Sequence, residues 1–385
     1  MVGRVRNGLL VLLFAIMLLP LVQQYVPVIT SIPLVGVFHI SPDVSISFAK
    51  WWDGSYQEEK GKYLNDNISF RADLVRVQCQ VNYSLFSKLT TGWGVVGKHN
   101  CMLDDSYIHA WNGEDYVGYD TLYAKMVKLK ALQDTLARLG KSLVLVHAAS
   151  EAYYYGECIP DNMVPAKKRP TNFGTCMRLG DSLGVNQLDF NSWFCGMKDT
   201  SRDILYSRQG IHWTCYGSML AADSMIKYIE KIRNINMPHP KWHNIVRTSE
   251  PRSTDDDLGK VLNLIWPLAP EVFTYGETVC DTAGNKQRPK AVYIGDSFTW
   301  TIADNGVFDC INSDWEFWFY FKTLNRRGDF PRQETPMENY NWQAVLDKTD
   351  YVVLLYSAPQ LRKLGSGFIE AAYAHYFPAG RTELK

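Results

Sequence analysis

Three short apolar runs constrain the fold of this 385-residue chain more than any other feature: KSLVLVHAAS at 141–150, KAVYIGDS at 290–297 and DYVVLLYS at 350–357. Each is apolar without a polar alternate, the pattern of a strand covered on both faces. GVNQLDF, at 184–190, reads as a further strand. Helical patterns separate them. Between Tyr119 and Leu139, Leu122, Met126, Leu129, Leu132, Leu136 and Leu139 recur at helical spacing, and Gly140 stops the pattern before the first run. YGSMLAADSMIKYIEKI, at 216–232, reads as an amphipathic helix. Helices alternating with short buried strands predict an α/β fold with a mostly parallel sheet. SYQEEKGKYLNDNISFRADLVRVQCQVNYSLF, at 55–86, carries Leu74, Val77, Val81 and Leu85 at helical spacing and reads as a helix packed on the surface.

The first residues, MVGRVRNGLLVLLFAIMLLPLVQQYVP, place Arg4 and Arg6 before an unbroken apolar run from Gly8 to Val22. That charge asymmetry is used by export signals, and no small-x-small cleavage site closes the run. We expect an uncleaved N-terminal anchor helix over 1–26, a Pro-containing connector over 27–50, and one domain over 51–385 outside the cytoplasm. Basic and acidic residues number 40 each, so no global field favours a polyanion, and nucleic acid is not an expected partner. Eight cysteines follow the anchor. Successive ones form candidate pairs, Cys79 with Cys101, Cys158 with Cys176, Cys195 with Cys215 and Cys280 with Cys310, with a fully reduced set as the alternative. None stands at CxxC spacing, so no metal site is expected.

Chemistry in an open α/β sheet gathers beyond the carboxyl ends of the strands, where Ser297 is placed by its run. Gly295 permits a sharp turn there, and a serine between a strand and a helix has backbone N–H groups close by to hold an oxyanion. The bland alternative is a helix N-cap. A serine nucleophile needs a base. His212, in SRQGIHWTCYGS, lies in a loop at the mouth of the amphipathic helix; His147 at a strand end is the next candidate, and His239 and His243 fall in the turn-like MPHPKWHN. SDWEFWFYF, at 313–321, reads as an aromatic strand with one face in the core and the other, through Trp318 and Tyr320, available to stack on sugars. Asn325, Arg326 and Arg327 follow as candidate contacts for an oxyanion or a uronate. STDDDLGK, at 253–260, lacks calcium-loop spacing and reads as an acidic helix start.

In order, YLNDNISFRADLVRVQCQVNYSLF, GWGVVGKHNCML, GIHWTCYG, DDDLGKVLNL and YIGDSFTW resemble the alginate O-acetyltransferase family, the AlgX/AlgJ-like proteins with an SGNH-hydrolase-like domain. The resemblance runs from about residue 51 onward. It implies a three-layer α/β/α domain held at the inner membrane by a single-pass anchor, with the domain in the periplasm. It also implies that acetyl groups pass from a membrane-bound O-acyltransferase to a secreted polysaccharide, with no cofactor. Ser297 matches the family's serine, with Gly295 and Asp296 in its turn, and His212 and Trp213 match its Asp-x-His-Trp motif. Where that motif has aspartate this chain has Gly210. Three substitutes are open: a carboxylate from elsewhere, with Asp189, Asp199 and Asp203 as candidates; a backbone carbonyl; or a serine–histidine dyad. The alternatives in function are a non-catalytic glycan-binding subunit, for which the missing aspartate argues, and an acetyl esterase.

Overall fold

The computed structural model describes residues 2–36, 40–329 and 335–378. The parts of the expected connector and domain at 37–39, 330–334 and 379–385 lie outside the described residues. The chain divides into two compact units, one of residues 1–92 with 259–268 and one of 93–258 with 269–385. The boundary expected at residue 51 does not coincide with this division, because the helices before Gly92 belong to the first unit.

In the first unit the helix Val2–Tyr25 contains a 22-residue stretch, Arg4–Tyr25, of mean hydropathy 2.2, long and apolar enough to cross a membrane. The segment 55–86 is two helices, Ser55–Asn67 and Arg71–Phe86, parted at Phe70, which takes a left-handed φ of 65°. The second helix buries Cys79 and Gln80 instead of its apolar stripe: the Gln80 side-chain oxygen accepts the N–H groups of Ile265 and Trp266. Leu74, Val77, Val81 and Leu85 therefore stay exposed, between 43% and 71%.

The second unit is built on a seven-stranded sheet in the order Thr335–Pro336, Thr323–Arg326, Asp314–Phe319, Lys290–Gly295, Tyr351–Tyr356, Ser142–His147, Gln187–Asp189. The five strands from Asp314–Phe319 onward pair in parallel, and the two at the near edge are antiparallel. Because side chains alternate along a strand, neighbouring residues of each central strand enter different cores. Val144, Val146, Tyr293, Val353 and Leu355 pack with the helices Phe190–Met197, Cys215–Arg233 and Phe298–Asp304; Leu143, Leu145, Val292, Ile294, Val352 and Leu354 pack with Tyr119–Arg138, Asn172–Leu183 and Phe368–Tyr376. This makes three layers, α/β/α, as expected.

Three local readings change. GVNQLDF contributes only Gln187–Asp189 to the sheet, because the Asp189 carboxylate caps the next helix at the N–H of Ser192, 2.9 Å away. MPHPKWHN is not a turn: His239–Thr248 pairs antiparallel with Phe273–Asp281 in a separate two-stranded ribbon, in which every strand is an edge and tolerates Pro240. Among the candidate cysteine pairs, Cys280 and Cys310 are bonded, and the remaining six cysteines are free.

Candidate active site

The strand Lys290–Gly295 delivers its carboxyl end to the middle of the sheet, and the helix Phe298–Asp304 starts at once. Gly295 is required by the neighbouring strand, since a Cβ there would stand 2.1 Å from the Leu355 carbonyl oxygen. Asp296, buried, fixes the turn. Its Oδ1 accepts the N–H of Phe298 at 3.1 Å, and its Oδ2 accepts both the N–H and the O–H of Ser357 at 2.7 Å. Burial raises its carboxyl above the usual carboxylate range against these bonds. Since Asp296 takes the capping bond, Ser297 is relieved of that work: its side chain makes no cap hydrogen bond, and its hydroxyl turns toward His212.

His212 is held by its own loop and by the serine helix. Tyr206 bridges Trp213 across the loop, and the Tyr206 hydroxyl donates to the carbonyl of Ile211. Thr214 caps the following helix, accepting the N–H of Gly217 at 3.0 Å. The indole N–H of Trp213 donates to the Thr301 hydroxyl, and the imidazole lies 4.7 Å from the Phe298 ring, so the base loop is bolted to the helix that begins at the serine. His212 Nε2 is 2.7 Å from Ser297 Oγ, across 85 residues of sequence.

The other ring nitrogen meets Asp257. Nδ1 is 2.6 Å from Asp257 Oδ2, while Asp257 Oδ1 accepts the N–H of Ile211 at 2.8 Å. An ionised carboxylate only accepts, so the Nδ1 proton points at Asp257 and Nε2 is left to accept from the serine hydroxyl. The carboxylate comes from the acidic run 253–260, and Asp257 does open a short helix, Asp257–Val261. At Gly210, a Cβ would come within 3.1 Å of the carbonyl oxygens of Thr254 and Asp255, so the segment that supplies Asp257 crowds the position where the family's aspartate stands.

The three carboxylates expected to orient His212 are engaged elsewhere or lie elsewhere. Asp189 is the helix cap described above, Asp199 lies in the turn after that helix, and Asp203 pairs with Arg247 at 2.8 Å and accepts from Thr274 at 2.6 Å. Of the other histidines, His147 is buried, and burial lowers its pKa to about 4; His239 sits between Asp223 and Glu230; His243 is exposed. The candidate glycan contacts are mostly core. Trp213 and Trp318 are fully buried, with the Trp318 indole donating to Glu316 at 2.7 Å. Asn325 is buried, Arg326 pairs with Glu316 at 3.4 Å over the Tyr340 ring, and Arg327 pairs with Asp309 at 3.2 Å. Tyr320 alone among the aromatic candidates is half-exposed, with a left-handed φ of 50° and its N–H on the Gly295 carbonyl at 2.9 Å, just beyond the serine turn. Among the described residues no group of three or more His, Cys, Asp or Glu gathers as metal ligands.

A profile of the family described as the SGNH hydrolase-like domain of acetyltransferase AlgX matches residues 117–321. No curated protein matches by sequence. Similar solved structures include the O-acetyltransferase domain of Pseudomonas putida AlgJ, at 16% identity over 73% of this chain and 99% of that one, with a TM-score of 0.47. Pseudomonas aeruginosa AlgX is similar at 12% identity over 79% and 71%, TM-score 0.44, and Bacillus cereus PatB1 carrying a sulfonyl adduct at 11% over 63% and 91%, TM-score 0.41.

Proposed function

Because the chain belongs to the AlgX acetyltransferase family with its SGNH-hydrolase-like α/β domain, we propose that it moves acetyl groups onto an exported polysaccharide through an ester on Ser297. The observation that carries this reading is the continuous relay Asp257–His212–Ser297, with contacts of 2.6 and 2.7 Å. His212 Nε2 takes the serine proton as Oγ attacks the acyl carbon of the donor. Asp257 faces the imidazolium that forms, and the N–H of Ser297, at a helix start where N–H groups lack intrahelical partners, serves as a donor to the developing oxyanion. When the donor's leaving group departs with the proton from His212, the acetyl remains on Oγ. A sugar hydroxyl then attacks that ester, loses its proton to His212, and carries the acetyl away while Ser297 regains its proton.

The apolar helix Val2–Tyr25, with Arg4 and Arg6 at its start, supports a single-pass inner-membrane anchor that holds the domain in the periplasm. That placement suits a membrane-bound O-acyltransferase as acetyl donor and a secreted polysaccharide as acceptor. The non-catalytic reading rested on the absent aspartate at 210, and the contact of Asp257 with His212 supports the catalytic reading over it. The test is to incubate the full chain with 4-nitrophenyl acetate and measure intact mass. One added acetyl group is expected on the wild type and none on Ser297→Ala, and transfer to an added oligosaccharide separates a transferase from an esterase. A Ser297→Ala protein acetylated like the wild type overturns the proposal.

A further inference from the structure

Asp255 is fully buried, and its hydrogen bonds go to neither Ser297 nor His212. Its Oδ1 accepts the N–H of Cys215 at 3.0 Å, and its Oδ2 accepts the O–H of Tyr275 at 2.7 Å. Tyr275 in turn accepts the N–H of Arg252 at 2.7 Å, and the Arg252 carbonyl accepts the N–H of Asp255 at 3.1 Å. Cys215 opens the helix that follows His212, and Asp255 stands just before Asp257. One carboxylate thus joins the segment that carries the base to the segment that carries its acid. Resting on the reading of Asp257, His212 and Ser297 as a triad, we propose that Asp255 is a positioning residue that fixes the spacing of His212 and Asp257, and that it does so in its ionised form.

The donors favour the ionised form. The Cys215 N–H cannot reverse, and both carboxylate oxygens are already accepting. A proton on Oδ2 would have to donate to the Tyr275 oxygen, which already accepts from Arg252, and would leave the phenol proton without its acceptor. Burial nevertheless pushes the Asp255 carboxyl up to about 6, the bonds from Tyr275 and Cys215 oppose that rise, and the charge of Asp257 adds to it. The other titratable or charged groups around it are the Cys215 thiol, raised by burial with Asp255 and Asp304 adding to it, the Tyr275 phenol, raised by burial and by Asp255, and the Arg252 guanidinium 4.7 Å over the Tyr275 ring. Asp255 therefore changes charge in the range where an imidazole base also titrates.

The experiment is the pH profile of acylation of the full chain by 4-nitrophenyl acetate. For the wild type, kcat/KM should fall on the acid side more steeply than a single group allows, because protonation of Asp255 at about 6 adds a loss of about tenfold to that of the base. Asp255→Asn keeps the volume and the bond from Cys215 but sets its NH2 against the Tyr275 hydroxyl, so its melting temperature should fall; Tyr275→Phe, which breaks the same contact and keeps the carboxylate, is the control for stability. The Asp255→Asn plateau should lie about tenfold lower and its acid limb should have a slope of about 1. Tyr275→Phe removes one donor to the carboxylate and should move the wild-type limb to higher pH. A one-proton limb in the wild type, an identical limb in Asp255→Asn, or a plateau lowered as far in Tyr275→Phe as in Asp255→Asn overturns the proposal. Acylation that persists in Ser297→Ala would instead overturn the triad reading.

Discussion

Replacing Asp257 by Asn tests the acid of the relay directly, because both carboxylate oxygens are in use. An amide has one acceptor. If its oxygen faces His212 Nδ1, the NH2 group confronts the Ile211 N–H, two donors across the 2.8 Å now occupied by a hydrogen bond. If the oxygen instead keeps Ile211, the NH2 donates to Nδ1, the ring proton moves to Nε2, and no acceptor remains for the Ser297 hydroxyl. The first orientation costs about 1–3 kcal/mol for an unsatisfied buried donor, and the second abolishes the base. In serine–histidine–aspartate enzymes the wrong tautomer lowers turnover about 10⁴-fold, roughly 5 kcal/mol of transition-state stabilisation. We therefore expect Asp257→Asn to acylate with 4-nitrophenyl acetate 10³- to 10⁴-fold more slowly (about 4–5 kcal/mol) while keeping the wild-type melting temperature to within about 1 kcal/mol of stability. Asp189→Asn, Asp199→Asn and Asp203→Asn should stay near wild-type rates in the same stopped-flow assay. An Asp257→Asn rate within tenfold of the wild type would refute the assignment and leave a dyad as the better account.

Gly210→Asp, which writes the family's aspartate back into the motif, should lower the rate and destabilise by about 1–3 kcal/mol, because its Cβ meets the Thr254 and Asp255 carbonyls at 3.1 Å; a faster enzyme would contradict this. Trp213→Phe loses a buried indole and its bond to Thr301, so its melting temperature should drop while KM for an oligosaccharide acceptor is unchanged, whereas a raised KM would mark it as a glycan contact. Reducing Cys280–Cys310, which closes a separation of 30 residues, should cost about 3–4 kcal/mol in denaturant unfolding, and an unchanged midpoint after confirmed reduction would argue against the bond.

What the sequence made legible follows the range of the forces involved. The runs at 141–150, 290–297 and 350–357 are buried on both faces of one sheet, and a strand so placed has no polar alternate to disguise it. The meeting of Ser297 and His212 was legible because each stands at an element junction that short-range chemistry marks, a strand-to-turn glycine in one case and a helix start in the other. Asp257 was not. Its local role, opening the helix Asp257–Val261, accounts for the acidic run by itself, and nothing within a few residues announces a partner 45 positions earlier. Trp318 was misread for the opposite reason: a strand of alternating large aromatics gives no sign of which face will be covered, and both Phe317 and Trp318 are buried, in different cores.

Gly210 and Asp257 are two sides of one packing fact. The backbone at Thr254 and Asp255 occupies the space that a side chain at 210 would enter, and the same close approach brings Asp257 within 2.6 Å of Nδ1 and 2.8 Å of the Ile211 N–H. A segment lying farther off would admit an aspartate at 210 but would withdraw Asp257. A segment lying this close brings Asp257 to His212 and crowds a side chain at 210. Asp255 holds that segment against the first turn of the helix after His212, so the missing motif residue, the displaced acid and the buried clamp follow from a single arrangement of chain. On the proposed reading, the histidine proton needs a fixed acceptor, and the backbone that packs against the loop decides which residue provides it.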